Sequence, residues 1–338
     1  MKKTIITLLL SAAAISAFAQ SQRSETILKE WEFRKGHDIE ATEGWEAVSV
    51  PHDWAIYGPF DKANDLQTVA VVQNGEDVAT EKTGRTGGLP YMGKGAYRRT
   101  LDIKADELDG RRHILMFDGA MSEAQVFVNG EKVCFWPYGY NSFHCDVTAQ
   151  LKEGSNDITV LLENREQSSR WYPGAGLYRK VRHITQPQVH VPVWGTYVTT
   201  PHIGKEHAVV SVRTKIEGVE KGSAVTLKTR ILDPDGHAVA CVTDTRLLHF
   251  GEIEQTLTVE NPTLWSPESP VMYFVETEVY AGGSVNTDWN MDRPEISIAD
   301  GTVPCDKVST RFGFRTIEII PDKGFFLNGE PRKFRGVC

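Results

Sequence analysis

The chain has 338 residues, 40% hydrophobic and 24% charged, room for two domains of about 150 residues, each with its own core. A formal net charge of −8 without any run of Lys or Arg excludes the clustered positive surface that nucleic-acid phosphates require. Five cysteines, none in a C-x-x-C pair, are too few and too scattered for a disulfide framework or a metal or redox motif.

Residues 1–19 read as an export leader. Lys2 and Lys3 form a positive start, Ile5 to Leu10 and Ala12 to Ile15 an apolar run, and Ala17-Phe18-Ala19 a small-x-small cleavage site. This order predicts a mature chain beginning at Gln20. The run is too short to span a bilayer, and no cysteine follows it to carry a lipid anchor. The expectation is a periplasmic or secreted protein.

Beyond the leader the pattern is that of β-strands. "QVFVNGEKVCF" (125–135) is two alternating runs joined by Asn129-Gly130, a dipeptide that supplies the two positive φ angles of a type I′ hairpin. "NDITVLLEN" turns Ile158, Val160 and Leu162 to one face, and "SAVTLKTRIL" does the same with Val225, Leu227 and Thr229. Asp233-Pro-Asp-Gly236 reads as a turn, and residues 282–306 as a loop or hairpin excursion. Short strands with turn signals and no amphipathic helices predict an all-β chain of sandwiches. A boundary is predicted near Pro187 to Pro192, whose prolines interrupt sheet pairing; it separates a sandwich over 20–187 from an immunoglobulin-sized one over 188–314. Cys134 and Cys145 are the nearest cysteine pair, and they are expected to be separate buried thiols.

Several constellations invite a chemical reading. His52-Asp53 are adjacent on an extended segment, so their side chains point to opposite faces; Asp53 is expected to shape a turn. Gly93-Lys94-Gly95 lacks the spacing and following helix of a phosphate loop, and reads as a tight turn entering a strand. Glu163 and Glu166 stand beside polar residues, not in the apolar setting that raises the pKa of a general acid, and read as surface charges. "SSRWYPGAGLYRKV" (168–181) combines Trp171, Tyr172 and Tyr178 with glycines and cations. Such a loop suits either lids over a core or a sugar site, where rings stack on aromatic faces.

A resemblance bears on both readings. "VPHDW" (50–54), "GKGAYRRTL" (93–101), "FVNGEKV" (127–133), "SFHCDVTAQL" (142–151), the 168–181 loop, "PTLWSPESPVMY" (262–273), "RFGFRTIEI" (311–319) and "GFFLNGEPRKFRGVC" (324–338) occur in one order. Together they resemble glycoside hydrolase family 2, and within it the bacterial, Bacteroidetes-like β-galactosidases. The resemblance implies a jelly-roll sugar-binding domain, an immunoglobulin-like sandwich, and then a (β/α)8 barrel whose two glutamates, about 5 Å apart, carry out retaining hydrolysis. Such a barrel takes about 250 residues. Residues 315–338 are therefore expected to be only its beginning, and the chain an amino-terminal part lacking both catalytic glutamates.

The resemblance also implies that the 168–181 loop lines the pocket for the terminal sugar. Some members carry there an Asp that bonds a sugar hydroxyl; counting back from Ala175-Gly176, that position is Arg170. Arg170 and Trp171 are the candidate substrate-binding residues, with Tyr178, Arg179 and Val181 anchoring the next strand and Trp265 packed on the second core. An Arg at that position suits hydroxyls or the carboxylate of an acidic sugar. No catalytic residue, metal site or cofactor is assigned within the chain. The expected partners are a carbohydrate and the barrel, with no nucleic acid or membrane anchor and with oligomerisation left open. The alternatives are a β-glucuronidase or β-mannosidase of the same family, or a stand-alone glycan-binding sandwich.

Overall fold

The computed structural model describes residues 23–336 except 57, 59, 62–63, 65–67, 73–74, 84–89, 166–172, 221–222, 248–250, 282–284, 289–294 and 299–300. It divides into two units, Ser24–Thr185 and Gln186–Cys338, the latter including Arg23. The leader lies outside the described residues. No helix among the described residues is long and apolar enough to cross a membrane.

The first unit is built from β1 (Ser24–Ile27), β2 (Glu30–Lys35), β3 (Glu46–Ser49), β4 (Thr68–Val71), β5 (Thr80–Thr83), β6 (Gly93–Ile103), β7 (Arg111–Phe117), β8 (Ala124–Val128), β9 (Glu131–Trp136), β10 (Phe143–Asp146), β11 (Gly154–Asn164) and β12 (Val181–Pro187). A short helix, α1 (Ala105–Leu108), links β6 to β7. The strands form a four-stranded sheet, β1-β12-β7-β10, and a six-stranded sheet, β3-β2-β6-β11-β8-β9, with β4–β5 a separate hairpin. Alternation along the strands explains the sandwich: on β11, Ile158, Val160 and Leu162 are completely buried while their neighbours face outward. Phe117 and Phe143 stack at 4.7 Å in the same core. Asn129 and Gly130 turn the β8–β9 hairpin at φ 52° and 82°, the left-handed pair that the dipeptide predicts.

Buried polar groups pin the ends of these strands. Asn156 is fully buried, and its amide donates to the carbonyls of Leu101, Lys152 and Gly154 while its oxygen accepts from Asn129 and the Lys152 amide. His113 and His183 stack across β7 and β12, ring nitrogens 2.9 Å apart, and the other His113 nitrogen meets the Glu107 carbonyl at 2.8 Å.

The second unit contains β13 (Thr196–Ile203), β14 (His207–Lys215), β15 (Ala224–Leu232), β16 (Ala238–Leu247), β17 (Glu252–Glu260), β18 (Tyr273–Ala281), β19 (Val285–Asp288), β20 (Glu295–Ile298), β21 (Asp306–Phe312), β22 (Ile317–Ile320), β23 (Gly324–Leu327) and β24 (Glu330–Pro331). Sheets β13-β14-β17 and β16-β15-β18-β21 face one another, an immunoglobulin-like arrangement. Val225, Leu227 and Thr229 are all buried, and the Thr229 hydroxyl donates to Gln255 Oε1 at 2.6 Å. The 233–236 turn forms as the sequence implies, with Asp233 Oδ1 accepting from the amides of Asp235 and His237. Within 282–306, β19 and β20 pair as a hairpin.

Two details depart from the sequence reading. Trp265 is not among the residues packed on the second core: Phe314 is fully buried there with the half-buried Leu264 against it, while Trp265 lies half-buried beside Gly313, with the Arg315 guanidinium 5.0 Å from its ring. A parallel bridge between Leu264 and Phe314 sets the alternation, and it turns the larger ring outward. Nor is Gly93-Lys94-Gly95 a turn before a strand. These residues are the first of β6, and a Cβ at Gly95 would lie 2.7 Å from Trp54 and 2.9 Å from Phe33, so the glycine exists to let aromatic rings reach the backbone.

Burial, reinforced by the neighbouring His113, holds the His183 imidazole down from 6.5 to about 4. The unfolded chain takes up this proton first, so the stabilising effect of the neutral pair is complete above pH 6.5 and is lost as pH falls toward about 4. A loss of up to about 3 kcal/mol is expected over that window. Thermal denaturation from pH 7 to 4 checks it: His183→Gln should flatten the slope whatever it does to the absolute melting temperature.

Candidate functional site

The 168–181 loop is the sequence's candidate for contact with a ligand. Arg170 and Trp171 lie outside the described residues, as do Tyr172 and Glu166, so the site is built from the segments that enter and leave the loop.

On the entry side, β11 ends at Asn164, which is 1% exposed and donates from its amide to the Gly174 carbonyl at 2.7 Å. This one hydrogen bond ties the two ends of the excursion together. On the exit side, Ala175 and Leu177 are fully buried, and Gly176 bridges to Met121 through two backbone hydrogen bonds of 3.0 and 3.2 Å. Gly176 has φ 86°, and a Cβ there would collide with the Tyr97 hydroxyl, lie 2.7 Å from the His52 carbonyl oxygen and 3.1 Å from the Trp54 ring. No side chain fits.

Beneath Gly176 is an aromatic box. Phe33 stacks on Trp54 at 5.3 Å and meets Tyr97 at 4.9 Å and His52 at 5.0 Å. The buried Tyr97 hydroxyl lies 2.7 Å from His52 Nδ1, and the His52 amide donates to the Leu177 carbonyl at 2.8 Å. Burial lowers the His52 imidazole below its ordinary range and pushes the Tyr97 phenol well above its own, so both are neutral near pH 7. His52 therefore works as a wall of the box. Asp53 Oδ1 accepts from the Ala55 amide at 3.0 Å, a turn contact. His52 and Asp53 have different tasks, as their positions on an extended segment imply.

Tyr178 is the exit anchor: its hydroxyl donates to the Gly139 carbonyl at 2.7 Å, and Arg179 lies 5.2 Å from its ring. Val181 is fully buried at the start of β12. Beside the entry, Gly36, Tyr91, Gly93, Lys94, Glu163 and Arg165 line an open depression of about 510 Å³. Glu163 is thus at its rim, half-exposed, and Arg165 pairs with Glu123 at 2.7 Å. Lys35 Nζ stands 4.8 Å from the Tyr91 ring, whose hydroxyl donates to the Lys94 carbonyl. An aromatic ring, cations and a carboxylate around a shallow hollow suit a polyhydroxylated ligand.

A larger hollow of about 710 Å³ lies on the outer face of the six-stranded sheet, lined among others by Glu32, Arg98, Asp157 and Thr159. There Glu32 pairs with Arg98 at 2.6 Å, and Arg98 covers Trp45 at 4.0 Å, so its strongest binding groups already satisfy each other. We place the candidate site at the smaller hollow. Sequence reasoning did not single out Asn164, Tyr91 or Tyr97. The motifs "LLEN" and "GKGAYRR" contain two of them, but nothing local distinguishes a loop clamp from an ordinary strand end.

Each described carboxyl whose ionisation the fold clearly shifts is drawn down. Asp233 and Asp235, with His237, bring ligand atoms within 4.8 Å of one another on an open turn. Hydrogen bonds from the amides of His237 and Asp235 hold the Asp233 carboxyl below its usual range. Glu276, which burial pushes up, is drawn down by Lys307 and Arg230. A group that protonates a leaving oxygen near neutral pH needs the opposite shift.

The first β-sandwich thus carries a polar hollow beside the clamped ends of the 166–172 segment, and the second is immunoglobulin-like. The profile described as Glycosyl hydrolases family 2, sugar binding domain, matches residues 16–187, and that of Glycosyl hydrolases family 2 matches 189–292. The chain belongs to glycosyl hydrolases family 2. It is 31% identical over 342 residues to Beta-galactosidase BoGH2A of Bacteroides ovatus, covering 97% of this chain and 36% of that protein. A putative beta-glucuronidase of Formosa agariphila is 34% identical over 295 residues, covering 87% of this chain and 25% of that protein. Among solved structures, a family 2 member from Bacteroides cellulosilyticus superposes with a TM-score of 0.71 at 28% identity, covering 91% of this chain and 37% of that one. A beta-glycosidase from Bacteroides vulgatus gives 0.71 at 26% identity, covering 93% and 37%. The chain thus spans about a third or less of the length of the curated relatives named here.

The glycine geometry yields a paired test. Gly176→Ala should cost about 3 kcal/mol or more, because it adds a core clash to a left-handed backbone. Gly130→Ala, where nothing lies within 4 Å at φ 82°, should cost only about 1 kcal/mol. Urea denaturation of both variants measures the difference.

Proposed function

We propose that this chain forms the non-catalytic, sugar-facing amino-terminal domains of an exported retaining glycoside hydrolase that releases terminal β-linked galactose. The observation that carries the reading is the alignment with Beta-galactosidase BoGH2A over 97% of the chain. In this reading residues 1–19 are a cleaved leader, 20–187 the jelly-roll domain, 188–314 the immunoglobulin-like domain, and 315–338 the start of the catalytic barrel. Arg170 and Trp171 face the terminal sugar from the loop that Asn164 and Gly176 hold at its two ends. The jelly roll completes a pocket whose reacting groups belong to the barrel.

A second reading, β-glucuronidase, draws support from one residue. Arg170 stands where some members carry an acid, and a guanidinium binds a uronic-acid carboxylate in a bidentate fork. Relatives named beta-glucuronidase fit the same alignment.

Two outcomes are expected of the chain as it stands. Incubated with nitrophenyl β-galactoside or β-glucuronide, it should show no turnover, since retaining hydrolysis needs two carboxylates held about 5 Å apart across the anomeric carbon. Hydrolysis that disappears on changing an acid within residues 20–338 would overturn the accessory reading. Half a pocket leaves much of a sugar in water, so titration calorimetry should give a dissociation constant of about 1 mM or weaker. Arg170→Ala should weaken glucuronate selectively if the second reading is right, and both sugars alike if the first is. The export element is checked separately: material recovered outside the cytoplasm should begin at Gln20 by mass spectrometry.

A further inference from the structure

Cys134 and Cys145 sit on strands that share no sheet. β9 is the outermost strand of the six-stranded sheet and β10 the outermost strand of the four-stranded sheet, so the two edges close the same side of the first sandwich. Cys134 is paired with Val126 and Cys145 with Leu115, both fully buried, and residues directly opposite on antiparallel strands share a face. Both thiols therefore point inward from opposite layers. They belong to one core, Cys145 within it and Cys134 packed against it, and two residues further along β9 and two back along β10 Trp136 stacks on Phe143 at 5.7 Å, which sets the two cysteines opposite each other. Cys145 is buried and Cys134 half-buried, which leaves one sulfur open to a reagent.

We propose that Cys134 and Cys145 are a disulfide site that staples the two sheets together at the base of the β9–β10 loop. The reaction is thiol–disulfide exchange. The Cys134 thiolate attacks a disulfide supplied by a small-molecule or protein oxidant, forming a mixed disulfide and releasing one thiolate of the oxidant. Cys145, losing its proton to solvent, then attacks Cys134 Sγ and expels the second thiolate. Two protons and two electrons leave the pair, and the oxidant's disulfide is reduced to two thiols.

The environment favours this order. The Cys145 hydrogen bond, with Lys132 nearby, lowers the Cys134 thiol, while the same bond and burial raise Cys145. Elsewhere among the described cysteines, Cys241 is exposed and Cys305 donates to the Val279 carbonyl. The closed ring would clamp a loop that carries the exposed rings of Phe135, Tyr138 and Tyr140, and whose Gly139 carbonyl accepts from Tyr178 of the candidate loop. Oxidation would thereby stiffen the support of the candidate site.

The pair's chemistry is independent of export, which decides only whether the oxidant is met in the cell. Reduced full-length chain is treated with glutathione disulfide, alkylated, digested without reductant and analysed by mass spectrometry. The expected product is a peptide joining Cys134 to Cys145, two hydrogens lighter than the separate thiols. The melting temperature should rise by about 5 °C or more, an effect absent in Cys134→Ser. Thiols that both remain open to alkylation after oxidation, or a glutathione adduct on Cys134 that never resolves, would overturn the proposal. The wild-type peptide map decides the matter even if the serine variant fails to fold. A bridge that closes in the tube, in a chain that keeps its leader in the cell, would instead refute export.

Discussion

One absent methyl group governs the first sandwich. The backbone at Gly176 occupies space that any Cβ would need, pressed between the Tyr97 hydroxyl, the His52 carbonyl and the Trp54 ring. Because the chain can come that close, its carbonyl and amide reach Met121, and Leu177 and Val181 drop into the core on either side of Tyr178. The aromatic box then has a lid, and the Tyr97 hydroxyl can be buried because His52 partners it. A side chain at this point would lift the strand and leave a buried phenol without a partner. The segment that leaves the candidate loop is thus positioned by core packing.

The same packing sets the charge state of the titratable groups around the loop. The buried titratable groups near the loop, His52 and Tyr97, are kept neutral by desolvation. The carboxyls whose ionisation the fold perturbs, Asp146, Asp233, Glu268 and Glu276, are drawn down by arginine, lysine or amide donors. Such groups stay ionised and bind; they do not deliver protons at neutral pH. A polar hollow with an aromatic wall and fixed charges recognises hydroxyls and rings.

Much of the fold was legible because its signals are local. Alternation in "NDITVLLEN" and the Asn129-Gly130 pair depend only on neighbouring residues, and both have the structure the pattern implies. What escaped depends on partners distant in sequence. Trp265 is turned outward because Leu264 bridges to Phe314, a pairing invisible in "LWSPESP". Gly95 is a glycine because Trp54 and Phe33 lean on it from other segments. Cys134 and Cys145 share one core only because β9 and β10 end up as the edges of opposite layers. For the site itself, the motif located the loop, but the clamp from Asn164 to Gly174 follows from where β11 ends in space.

The buried polar contacts give the architecture its precision. Hydrophobic alternation alone tolerates a slip of two residues along a strand, since the same face stays inward. Asn156 removes that freedom, because its five hydrogen bonds reach four residues in three separate segments and no shifted register reproduces them. Asn164 repeats the device eight residues later, at the other end of β11. In the second unit Asp306, its side chain fully buried, accepts from Arg23 and from the Val191 amide, so a slip of β21 would strand a carboxylate in the core. Each such contact costs desolvation and returns a unique alignment. On β11 the alignment fixes both where the strand stops and where the next segment returns, and the 166–172 excursion is the chain between those two fixed points.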